Sequence, residues 1–171
     1  MSDPYAGRER VLTDEQRTTV AVWVNDIAAR LGLRDWRVHV SPFAAFGDDA
    51  LACSSLRDQA SVSWIAVTRA WLESDDIERT TTLVHELLHC HFQPVTRLAE
   101  RLIETELGRR TEAVIKEAIS IAEETSIDRL ASALSLVLPP FSFEPRVAVP
   151  SEPITPELLP GEVVVPLGGQ R

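Results

Sequence analysis

The spacing of apolar residues divides the chain into helical, strand-like and unpatterned stretches. Val20, Val24, Ile27 and Leu31 recur at helical intervals with Trp23 beside them, which predicts a helix from Thr13 to a stop at Gly32. Thr13-Asp14-Glu15-Gln16 opens it as a capping box, in which the threonine and glutamine side chains accept from otherwise free backbone N–H groups. A two-residue period then takes over. Trp36–Val40, Leu51–Leu56 and Ser61–Val67 read as three short strands, with Asp48-Asp49 and Asp58-Gln59 where turns are needed. Helical spacing returns after Ser74, which reads as an N-cap ahead of Asp75, Asp76 and Glu78, acidic residues favoured in a first turn. This helix is expected over about 75–92, a second over about 94–107 opened by Pro94 and stopped by Gly108, and a third from about Thr111 to Leu138 before Pro139-Pro140.

The order of elements predicts an α+β domain: an N-terminal helix, a small, mainly antiparallel three-stranded sheet, then long helices. Residues 1–12 read as a flexible polar leader, 13–138 as the domain and 139–171 as an extended or disordered tail. The tail holds eight of the eleven prolines, and its apolar residues come in short pieces such as Val163-Val164-Val165. A strand-adding or cleft-binding role is the sharper alternative for it. On the helix after Pro94, Leu98, Leu102 and Ile103 share a side that serves either the core or an interface, so oligomeric state stays open.

Composition narrows the function. Apolar residues make up 44% and charged residues 25%, ordinary for a globular chain of 171 residues. A net charge of −9 speaks against general affinity for nucleic acid or an anionic membrane. The polar start MSDPYAGRER has no apolar segment of a secretion signal, and no stretch nears the roughly 20 apolar residues of a membrane span. A cytoplasmic protein is expected, with Cys53 and Cys90 as reduced thiols too few for a cysteine zinc site.

Three of the four histidines lie in one short run, and His85-Glu86-Leu87-Leu88-His89 is an HExxH motif on a predicted helix. At about 100° per residue, His89 falls about 40° from His85, so both imidazoles can reach one ion, and Glu86 is turned about 100° away. Glu86 then reaches a water activated by that ion and serves as general base. The apolar stripe of Val84, Leu88 and Phe92 borders the pair, as a cleft lining requires. His91 turns into that stripe, away from the metal face, and reads as structural. His39 reads as the polar face of its strand.

Catalytic zinc takes three protein ligands, so a third must come from elsewhere. Glu124 and Asp128 form an i, i+4 pair of like charges, mildly unfavourable on a bare helix and useful at a metal site. There Glu124 binds the ion while Asp128 accepts the ring N–H of a ligand histidine. Glu123 is the alternative ligand, aligned with Ile127, Leu130 and Leu134 on the face expected to be buried.

HELLH followed by glutamate and, four residues on, aspartate resembles the gluzincin zinc metallopeptidases. Glu124 through the Leu138-Pro139 close is also similar to ImmA/IrrE-type peptidases, with Asp128 where they carry asparagine and Leu130 where they carry an aromatic. The resemblance implies a minimal zincin-like domain, one Zn²⁺ on His85, His89 and Glu124, Glu86 as base and Asp128 behind a ligand ring. The chain departs from it in the longer gap between His89 and Glu124 and in Leu88, where many such motifs have glycine. The expected function is a zinc-dependent endopeptidase acting on a protein or peptide held along an edge strand, Ser61–Val67, with its oxyanion donor unidentified and Tyr5, in the leader, a poor choice for it. The alternative is a regulatory module that binds a protein partner such as a transcriptional repressor.

Overall fold

A computed structural model describes residues 2–47, 50–57, 60–106 and 109–143, with no side-chain detail at 109 and 110. The turn residues 48–49 and 58–59, the Gly108 stop and the tail beyond 143 lie outside the described residues. The elements run α1 (Asp14–Arg30), β1 (Arg37–Val40), β2 (Ala52–Arg57), β3 (Val62–Val67), α2 (Arg69–Glu73), α3 (Asp76–Glu106) and α4 (Arg109–Ser135), an α+β arrangement. Among the described residues, no helix is long and apolar enough to cross a membrane.

α1 begins as its sequence dictates: Thr13 Oγ1 accepts from Gln16 N–H, and Gln16 Oε1 accepts from Thr13 N–H. It buries Val20, Val24 and Ile27. These pack with Leu83, Val84, Leu87 and Leu88 of α3 against Val38, Val40, Ile65 and Val67 of the sheet. The opposite sheet face carries a smaller cluster of Tyr5, Ala45 and Ala66 with Phe43, Cys53 and Trp64. His39 stands exposed on β1 and stacks on Trp64, their ring centroids 4.6 Å apart.

The sheet differs from expectation. Its order is β1-β3-β2; β3 pairs with β1 in parallel and with β2 antiparallel, so it is mixed rather than mainly antiparallel. β3 is therefore the central strand, not an edge. Its near-continuous burial suits a strand covered on both faces. The edge beside α3 is β2. Thr68 N–H donates to Leu51 C=O at 2.8 Å, so residues 51, 53 and 55 turn their backbone groups toward β3. Ala52, Ser54 and Leu56 turn theirs to the open side.

The helices also differ. A short α2 follows Thr68, whose hydroxyl accepts from Trp71 N–H, and Ser74 ends that helix rather than opening the next. Asp75 takes the opening position, its carboxylate accepting from Glu78 N–H at 2.8 Å. α3 then runs through Pro94 without a break. The proline removes the N–H that would bond the Cys90 carbonyl, but one lost bond does not end a helix packed along its length. Val95, Leu98 and Leu102 are exposed there while Ile103 is buried, so the three side chains expected together divide.

Both ends of the described chain are anchored. The segment expected to be loose before Thr13 buries Tyr5 and Leu12, and Arg10 bridges Phe43. The Tyr5 hydroxyl donates to Cys53 C=O at 3.2 Å. After α4, Phe141 is fully buried, tilted against Trp71 at 5.5 Å and edge-on to Trp23 at 5.8 Å. Its N–H donates to Thr80 Oγ1 at 2.7 Å. The first residues of the expected tail thus close the core.

Candidate metal centre

α3 and α4 form an antiparallel hairpin, and side chains from both meet beside β2. Lys116 of α4 pairs with Glu104 of α3 at 2.6 Å, and Thr96 Oγ1 of α3 donates to Glu123 of α4 at 2.8 Å. This alignment sets Glu124 across from the HExxH turn. His85 Nε2 lies 3.2 Å from His89 Nε2 and 3.3 Å from a Glu124 oxygen; His89 Nε2 lies 3.8 Å from the other Glu124 oxygen. The three ligand atoms all fall within 4.8 Å of one another, a group that could hold a metal ion.

The back of the His85 ring is occupied by Asp128, whose Oδ1 is 2.9 Å from Nδ1. A carboxylate accepts only, so Nδ1 is the donor in that contact, which leaves Nε2 as the atom that would face an ion at the shared point. That point is bounded by imidazole nitrogen and carboxylate oxygen, a borderline-soft donor set suited to Zn²⁺. The donors present therefore fit the ion that the sequence implies.

Glu123 takes a different place from its neighbour. Its Oε1 is 3.8 Å from His89 Nδ1, on the side of the ring away from the converging atoms. Ile127 is buried as expected of this face, but Leu130 is exposed. His91 is also clear of the site: exposed rather than turned into the core, its Nε2–H donates to Leu31 C=O at 2.8 Å.

Glu86 lies 6% exposed behind the two histidines. Burial pushes its carboxyl above the usual carboxylate range, opposed by the charges of His89 and His85 and a hydrogen bond from the Ser54 hydroxyl. Glu124 adds to the upward push. The cleft holding these groups has a volume of about 400 Å³, and Ala52, Ser54 and Leu56 of the open strand form one wall of it. A larger groove of about 700 Å³ between α1 and residues 139–143 contains none of this chemistry.

Sequence reasoning missed Ser54, Thr96 and the position of β2. Thr96 lies seven residues after His89, two turns along the same face. That relation is invisible if the helix is expected to break at Pro94. Ser54 shares its strand face with Ala52 and Leu56, but nothing local ties it to Glu86. Compared with known proteins, the chain matches no family model, no curated protein and no solved structure.

Proposed function

We propose that the protein is a zinc-dependent endopeptidase of zincin type. Zinc would be held by His85, His89 and Glu124, with Glu86 as general base. One observation carries this reading: three donor atoms converge beside a buried carboxylate, in a cleft walled by the open edge of a sheet. When bound, the ion supplies a Lewis acid that acidifies water and polarises a carbonyl.

The chain's own residues supply the rest. The N–H and C=O groups of Ala52, Ser54 and Leu56, turned away from β3, suit an extended peptide adding to β2 by main-chain hydrogen bonds, with little demand on its sequence. Glu86 takes a proton from the attacking water and passes it to the leaving amine. Ser54, on the strand that would carry the substrate, works against the upward push on the Glu86 carboxyl, and Asp128 holds the His85 ring.

Zinc counting on protein purified without a histidine tag tests the reading. Wild type should carry one zinc per chain, and His89→Ala and Glu124→Ala should lose it. A wild type without zinc after reconstitution sinks the proposal. Glu86→Gln should keep the zinc and cleave an unfolded protein at least about 100-fold more slowly. Wild type that holds zinc but leaves unfolded proteins intact would favour the regulatory binding module instead.

A further inference from the structure

We infer that Glu123, braced by Thr96, is a positioning residue for His89 and not a ligand. The inference rests on the metal reading above. The two histidines need the same thing: a proton fixed on Nδ1, so that Nε2 faces the ion with its lone pair. Asp128 does this for His85 at 2.9 Å. For His89, the carboxylate nearest Nδ1 among the described residues is Glu123, 3.8 Å away.

That distance is too long for a hydrogen bond, so the contact is electrostatic. The surroundings make it count. The Glu123 side chain is 13% exposed, against 70% for Asp128, so water screens its charge far less. Its other oxygen, Oε2, accepts from Thr96 Oγ1 at 2.8 Å, which leaves Oε1 aimed at the ring. A fixed negative charge on that side favours the His89 tautomer protonated at Nδ1.

The arrangement depends on α3 continuing past Pro94. His85, His89 and Thr96 lie on one face of one helix, and Glu123 and Glu124 are consecutive on the other. The consecutive glutamates thus divide the work: Glu124 toward Nε2 of both rings, Glu123 behind one of them.

The test measures zinc affinity by chelator competition for wild type, Glu123→Ala, Glu123→Gln, Thr96→Val and Glu124→Ala. It is paired with imidazole ¹⁵N spectra of the metal-free proteins. Glu123→Ala should still bind one zinc, about 10- to 100-fold more weakly. Glu123→Gln, which keeps an acceptor oxygen without the charge, should fall between it and wild type. Thr96→Val should weaken binding in the same direction by less. The spectra should place the His89 proton on Nδ1 in wild type and move it toward Nε2 in Glu123→Ala. Wild-type affinity and an unchanged tautomer in Glu123→Ala and Glu123→Gln would overturn the inference while leaving the metal site standing. Zinc lost outright in Glu123→Ala but kept in Glu124→Ala would overturn it by exchanging the two roles. A wild type that binds no zinc removes the metal reading and this inference together.

Discussion

Glu86 is the one carboxylate that the fold buries among the described residues. Burial raises its proton affinity above the ordinary value of 4.5. The native metal-free protein therefore holds this proton more tightly than the unfolded chain does. Stability from this group is fully present below pH 4.5 and is lost as pH rises toward the higher native value. Metal-free Glu86→Gln should then melt above metal-free wild type at pH 7, the gap closing as the pH falls toward 4.5. An equal or lower melting temperature at pH 7 would show that the histidines and Ser54 fully offset burial. Cys90 gives a second outcome at this scale. Burial pushes its thiol up to about 12, so alkylation of the native protein should reach half-buried Cys53 well before Cys90, as read by peptide mass mapping. At this scale the sequence is most readable where a relation is local. His85 with His89, and Glu124 with Asp128, are i, i+4 pairs whose geometry follows from helix pitch alone. Glu123 against Nδ1 rather than Nε2 depends on how two helices align, which no local period encodes.

Elements were legible in type more than in arrangement. The Thr13–Gln16 capping box is self-contained, and it forms as written. Strand existence followed from residue type, but strand order did not, because it is decided by which faces the helices cover. The run Val62–Val67, apolar except for Ser63, did carry a sign of central position, since an edge strand seldom buries both faces. Pro94 is the clearest case of packing overriding a local rule. Its ring still costs the helix a bond, so Pro94→Ala should restore an N–H to the Cys90 carbonyl and stabilise the protein by about 1–3 kcal/mol in urea unfolding. Loss of stability instead would mean that the proline's own shape is needed in α3. The cap that opens α3 makes the opposite prediction. Asp75→Ala should cost about 1 kcal/mol by the same measurement, and Ser74→Ala less, because only Asp75 accepts from the first-turn N–H of Glu78.

The molecule as a whole is closed by contacts distant in sequence, which composition conceals. Phe141 lies near the start of a proline-rich stretch yet packs against both Trp23 and Trp71. The candidate centre closes the hairpin in the same way: His85 and His89 come from α3, and Glu124 from α4. An ion on all three would bind the folded chain and not the unfolded one, so it must stabilise by mass action, about 2.7 kcal/mol at 100 times its dissociation constant. For a chain of this size each kcal/mol moves the melting temperature by about 2–4 °C, so saturating zinc should raise it by about 5–10 °C and a chelator should reverse the rise. Glu124→Ala separates this linkage from general salt effects. Glu124 is exposed and, among the described residues, makes its close contacts with the two histidines, so the variant's metal-free melting temperature should stay near that of wild type. Its response to zinc should nearly vanish. If wild type and Glu124→Ala respond alike, the ion binds elsewhere and the hairpin is held by packing alone. If neither responds, the three donors do not form a metal site in solution, and the endopeptidase reading fails with them.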